Sequence, residues 1–135
     1  MLVRAAGYNS NLLLNIGPMP NGEIQPEFVE RLHAVGEWMS RYGESVYGTR
    51  GGPLAPQDWG VTTHKNDTVY VHVFRWNAPL LALPPLEQKI TAAHNLVSGT
   101  TVQFTQDNNG VVFKLPPTAK AEVDRVVVLT LAGTK

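Results

Sequence analysis

Residues 11–22, NLLLNIGPMPNG, constrain the fold more than any other stretch. Leu12, Leu13, Leu14 and Ile16 leave an extended segment with no polar face, Asn15 being the one interruption. Successive side chains of a strand point to opposite faces, so the run reads as a strand covered on both sides. Strands of that kind belong to parallel sheets flanked by helices.

The next segment supplies a helix. In PEFVERLHAVGEWMSRY, Pro26 suits the first helical position. Glu27 and Glu30 put carboxylates in the first turn, where the helix dipole favours them. Phe28, Leu32, Val35, Met39 and Tyr42 recur at spacings of four and three, and Val29 and Trp38 widen the stripe. The pattern predicts a strand over Asn11–Ile16 and a helix over Pro26–Tyr42. The helix is about 25 Å long at about 1.5 Å per residue, and Gly43 is placed to end it. One βα unit cannot bury its own apolar surface.

GTRGGPLAPQDWG, residues 48–60, has no periodicity and reads as a linker. After it the period changes to two. In TVYVHVF, Val69, Val71 and Val73 share one face, and Tyr70, His72 and Phe74 the other. Asn66-Asp67 turn this strand back onto GVTTH. TVQFTQ and VVFKL flank Asp107-Asn108-Asn109-Gly110, a hairpin signal that puts Val102 and Phe104 on a face with Val111, Phe113 and Leu115. KITAAHNLV, RVVVLTLAG and a short PLLALPPL limited by its prolines add three strands. The expected class is mainly β: an antiparallel sandwich of about seven strands over residues 51–135, preceded by one βα unit over residues 1–50.

Composition narrows the functions. At 135 residues the chain is about one domain. Eleven basic and eleven acidic residues give zero net charge, and no stretch clusters Lys or Arg. Nucleic-acid and anionic-membrane partners are therefore not expected. No apolar run reaches the roughly 20 residues of a membrane span. Cysteine is absent, which excludes disulfides, thiolate metal sites and a thiol nucleophile. The opening MLVRAAGYNS lacks an apolar core of signal-peptide length, so the chain as it stands reads as cytoplasmic.

The ordered segments NSNLLLNIGP, NGEI, GEWMSRYGESVYGT, WGVTTHKNDTVYVHVF and RVVVLTL resemble the C-terminal part of the family-29 α-L-fucosidases. The resemblance runs along nearly the whole chain. It implies that residues 11–18 are the last strand of a (β/α)-barrel, that the helix from Pro26 is the last barrel helix, and that a sandwich follows. Retaining glycosidases need a nucleophile and an acid/base carboxyl about 5–5.5 Å apart. The resemblance implies that both come from earlier barrel elements, and no residue here matches either motif.

Barrel active sites lie at the C-terminal ends of strands. That makes Asn15 a candidate substrate-binding residue and Glu23 a candidate catalytic carboxylate. Asp58 is a second candidate carboxylate, beside Trp59, whose indole could stack on a sugar. Trp76 and Tyr70 are further candidate sugar platforms. Glu37 and Glu44, around the helix end, read as solvated or bonded to backbone. His33, His64, His72 and His94 lack ligand spacing, so no metal and no cofactor is expected.

Three readings follow. The first is a fucosidase-like segment, carbohydrate-related but without the catalytic carboxylates. The second is a small stand-alone glycoside hydrolase of fucosidase or galactosidase type, its site assembled in a homo-oligomer through the Asn11–Ile16 region and helix 26–42. The third is a non-catalytic carbohydrate-binding sandwich. The common partner is a carbohydrate.

Overall fold

A computed structural model of the chain describes residues 1–76, 78–116 and 122–133. Two antiparallel sheets face each other. The larger has the order β1-β2-β3-β8-β5, formed by Arg50–Gly51, Gly60–Lys65, Thr68–Val73, Arg125–Leu131 and Ile90–Asn95. The smaller has the order β4-β7-β6, formed by Leu80–Leu83, Gly110–Lys114 and Phe104–Asp107. Seven of these strands are the seven that alternation predicts.

The core lies between the sheets and follows the period of two. Val69, Val71 and Val73 on β3 meet Val127, Leu129 and Leu131 on β8 and Leu81, Leu83, Val111 and Phe113 of the smaller sheet. Phe104 tilts against Phe113 with ring centroids 6.0 Å apart. Each fully buried side chain of this size contributes about 1.5–3 kcal/mol, so this double layer dominates the stability. The β6–β7 hairpin turns at Asp107↔Gly110. Asp107 Oδ1 accepts from the backbone N–H of Asn109 at 2.7 Å and of Gly110 at 3.2 Å, which is how an aspartate stabilises a tight turn.

Residues 48–60 are not a free linker. β1 pairs with β2, Arg50 opposite His64 and Gly51 opposite Thr63. Leu54 is buried in the core, and Thr62 Oγ1 binds both its N–H (3.2 Å) and its carbonyl (3.1 Å). A single side-chain clamp does here what periodicity does elsewhere, and it leaves no mark in the sequence pattern.

The N-terminal third differs more. Leu2–Gly7 forms a helix, α1, that composition did not predict. It packs onto β2 closely enough that a Cβ on Gly7 would stand 2.5 Å from Val61 Cβ. Asn11–Ile16 is not a strand: no ladder is formed there, and Leu13 is 92% exposed. The physical reason is the absence of a neighbour, because a strand exists only where another strand takes its N–H and C=O groups. Its backbone instead runs into a tight loop closed by a Pro18↔Ile24 bridge.

Helix α2 spans Pro26–Tyr42, with Pro26 in its first turn. Gly43 does not end it in a left-handed turn. Its φ is −56°, the chain continues as a 3-10 turn over Gly43–Ser45, and the positive φ comes at Gly48. Glycine at 43 makes room instead: a Cβ there would lie 2.9 Å from the Tyr47 ring. No residue of α2 is buried. Phe28, Val29, Leu32 and Val35 are each 38–43% exposed. The apolar stripe is present, and among the described residues no other element buries it. Only the end of the helix is held. Tyr42 stacks on Trp38 at 5.1 Å and packs on Tyr70, Val126 and Val128, on the outer face of the larger sheet.

Candidate functional site

The candidates from the sequence fall into two regions. Asn15 and Glu23 lie in the exposed N-terminal segment. Glu23 sits in the loop before α2, where its carboxylate accepts from Asn21 Nδ2 at 2.8 Å and its N–H donates to Asn21 Oδ1 at 3.1 Å. Its backbone carbonyl also accepts from Met19 N–H at 2.8 Å. The loop is thus self-stitched around Asn21. Asp58 is exposed in the turn before β2. Trp59 beside it packs against the core, and its carbonyl accepts from Phe74 N–H at 2.8 Å. Trp76 also packs against the core. Its indole N–H donates to the Leu115 carbonyl at 2.9 Å, and the Arg125 guanidinium stands 4.6 Å above its ring. Desolvation pulls the Arg125 group down from its ordinary value, and the negative charge of Glu122 opposes this.

Tyr70 is buried against Tyr42 and Val126. Burial first, and then the charge and hydrogen bond of Glu44, push its hydroxyl above the ordinary tyrosine value. Tyr42 is raised too, first by burial and then by Glu122.

A cluster that the sequence did not single out lies beneath this layer. Ser45, Thr63, His72 and Asp124 are all buried, His72 completely. His72 Nδ1 meets Asp124 Oδ2 at 2.8 Å, the one histidine–carboxylate contact this short among the described residues. A carboxylate only accepts, so Nδ1 carries the donated hydrogen. His72 Nε2 faces Thr63 Oγ1 at 3.3 Å, and Thr63 donates to the Ser45 carbonyl at 2.6 Å. Ser45 Oγ donates in turn to the Tyr42 carbonyl at 2.6 Å. The line runs from the end of α2 through β2 and β3 to the residue before β8.

A hydroxyl, an imidazole and a carboxylate in this order match the arrangement of a catalytic triad. The chemistry does not follow. The Thr63 hydrogen is committed to Ser45, and His72, Thr63 and Ser45 are shut off from solvent. The cluster fastens the helix end to the sandwich. The alternation of β3 puts His72 on the face away from the valines, which is a signal for a special role. Its partner Asp124 lies 52 residues away and is invisible to any local pattern. His33 is exposed on α2, and His64 and His94 are partly buried on β2 and β5. Among the described residues, no three His, Asp or Glu side chains stand together as a metal site.

The α-L-fucosidase family model matches residues 1–44. Tissue α-L-fucosidase of Homo sapiens is 31% identical over 151 aligned residues, covering 99% of this chain and 30% of that protein. An α-L-fucosidase of Branchiostoma floridae is 40% identical over 81 residues, 56% of this chain and 18% of that one. Among solved structures, α-L-fucosidase isoenzyme 1 of Paenibacillus thiaminolyticus superposes with a TM-score of 0.85 at 30% identity, over 96% of this chain and 32% of that one. A GH29 α-L-fucosidase of Bacteroides thetaiotaomicron, solved as a trapped covalent intermediate with 2-fluoro-fucosyl fluoride, gives 0.87 at 29% identity, over 97% and 31%. These matches define the class as a β-sandwich-bearing piece of a glycoside hydrolase fold. The family is that of the α-L-fucosidases, and this 135-residue chain is a segment of it. The chain spans about 30% of the length of the human relative.

Proposed function

We propose that this chain is the C-terminal part of an α-L-fucosidase architecture, with a barrel βα end over residues 1–50 and a sandwich over residues 51–135. Its role is to close and brace a carbohydrate-cleaving fold. The nucleophile and acid/base are not among its eleven carboxylates. The observation that carries this reading is the exposed apolar belt of Leu13, Leu14, Phe28, Leu32 and Val35. A stripe of that width is a face for another layer of the same fold. The pairing-competent backbone of Asn11–Ile16 is, on this reading, a strand that lacks its sheet. Asn15, at the end of that strand, and Glu23, in the loop that follows, would border the sugar pocket. The test is hydrolysis of an aryl α-L-fucoside by the purified chain. No turnover above the uncatalysed rate is expected, and turnover that follows the chain through purification overturns the proposal.

The same belt favours a second reading. A second copy of the chain could cover it, forming a homo-oligomer through Asn11–Ile16 and helix 26–42. In its catalytic form, this reading puts a carboxylate such as Glu23 or Asp58 into a site shared between copies. Activity would then be lost on a single Glu23→Gln or Asp58→Asn substitution and would track the oligomer. Hydrolysis unchanged by either substitution sinks this form of it.

A further inference from the structure

The outer face of the smaller sheet holds a groove lined by none of the candidate site residues above. It lies on the opposite side of the sandwich from the end of α2. Its volume is about 460 Å³, within the rough 300–1,000 Å³ range of small-ligand sites. Leu80 and Val112, both exposed, form its apolar surface together with the less accessible Val102 and Phe104. Thr101, Gln103, Thr105 and Lys114 line its sides.

The strand register assembles this set. Leu80 on β4 stands opposite Lys114 on β7, and Val112 on β7 stands opposite Thr105 on β6. Lys114 N–H donates to the Gln103 carbonyl at 2.8 Å, which extends the first row by one residue. Side chains directly opposed on one face lie about 5 Å apart. Polar and apolar groups therefore alternate at the scale of one sugar ring.

These polar groups are also uncommitted. On the exposed turns nearby, Asn95 Oδ1 accepts from Val97, Ser98 N–H and Ser98 Oγ, and Asp107 Oδ1 accepts from Asn109 and Gly110. In the groove, Thr101, Gln103, Thr105 and Lys114 make no side-chain hydrogen bond or ion pair among the described residues. Two hydroxyls, an amide and an unpaired ammonium around an apolar floor are complementary to a ring with one C–H face, several hydroxyls and one negative charge. Charge-assisted hydrogen bonds are roughly twice as strong as neutral ones, so Lys114 selects for that charge.

We propose that this groove binds a pyranose unit bearing a carboxylate, its C–H face on Leu80 and Val112 and its carboxylate at Lys114. The site is separate from the apolar belt and does not depend on the fucosidase reading. The test is an NMR titration of the 15N-labelled chain with methyl β-D-glucuronide and, in parallel, neutral methyl β-D-glucoside. The glucuronide should give saturable shifts at Thr101, Gln103, Thr105 and Lys114, and the glucoside should bind more weakly. Lys114→Met should cut glucuronide affinity at least about tenfold, the loss of one charge-assisted hydrogen bond, with the spectrum unchanged elsewhere. Three results would each overturn the proposal: no saturable shift, shifts centred outside the groove, or equal affinity of the variant.

Discussion

Asp124→Ala probes the fastening of the helix end. The substitution leaves His72 fully buried with its Nδ1–H unpaired. Removing one member of a buried, hydrogen-bonded pair that carries charge costs about 3–5 kcal/mol. The lower end applies here for a structural reason. Asp124 Oδ1 is buried and already has no hydrogen-bond partner, so the carboxylate is only half satisfied before the change. The expected loss is about 3 kcal/mol, a large part of the roughly 5–15 kcal/mol that holds a domain together. Urea unfolding followed by tryptophan fluorescence measures it. A second variant separates the pair from its burial. Replacing both groups, His72→Leu with Asp124→Leu, removes both polar groups and should recover most of the loss. A cost below about 1 kcal/mol for Asp124→Ala, or a double variant as unstable as the sum of its single changes, refutes the reasoning.

Phe113→Ala, at a fully buried position against Phe104, should cost about 3–5 kcal/mol in the same assay. Trp76→Phe should cost about 1 kcal/mol through its lost hydrogen bond to Leu115, with circular dichroism unchanged. The alkaline limb of the stability curve belongs to Tyr70 and Tyr42. Both hydroxyls are raised on folding, so their contribution is complete below about pH 10 and is lost as pH rises through the folded-state values. Tyr70→Phe should flatten that limb in a series of melts above neutral pH. Leu32→Gln with Val35→Gln, at positions already about two-fifths exposed, should change the stability of the dilute, monomeric chain by less than about 0.5 kcal/mol.

The sandwich was legible because period-two alternation and turn residues are local signals. Val69, Val71 and Val73 face the core, and Asp107–Gly110 makes the hairpin, as the pattern requires. Helix α2 was legible from its stripe and from Pro26. What stayed hidden depends on distant partners. Leu12, Leu13 and Leu14 state a preference for a sheet, but pairing is decided by strands elsewhere, and none among the described residues takes the segment. β1 and Leu54 are held by β2 and by the Thr62 side chain, and a Gly- and Pro-rich string does not announce either. His72 declared itself only as the polar member of an alternating strand. Its partners come from elsewhere in the chain, Thr63 from β2 and Asp124 from the loop before β8. The groove on β4, β7 and β6 was equally silent, because it is a product of register.

The belt on α2 is the feature on which the account depends, and the solution mass tests it most directly. Light scattering should be measured on the wild-type chain and on the Leu32→Gln, Val35→Gln variant at matched concentration. The wild type should self-associate above the mass of one chain, since nothing else in the sample covers the stripe, and the variant should shift towards the monomer. A wild-type chain that stays monomeric and binds no hydrophobic dye, or a variant that associates as strongly as the wild type, contradicts it.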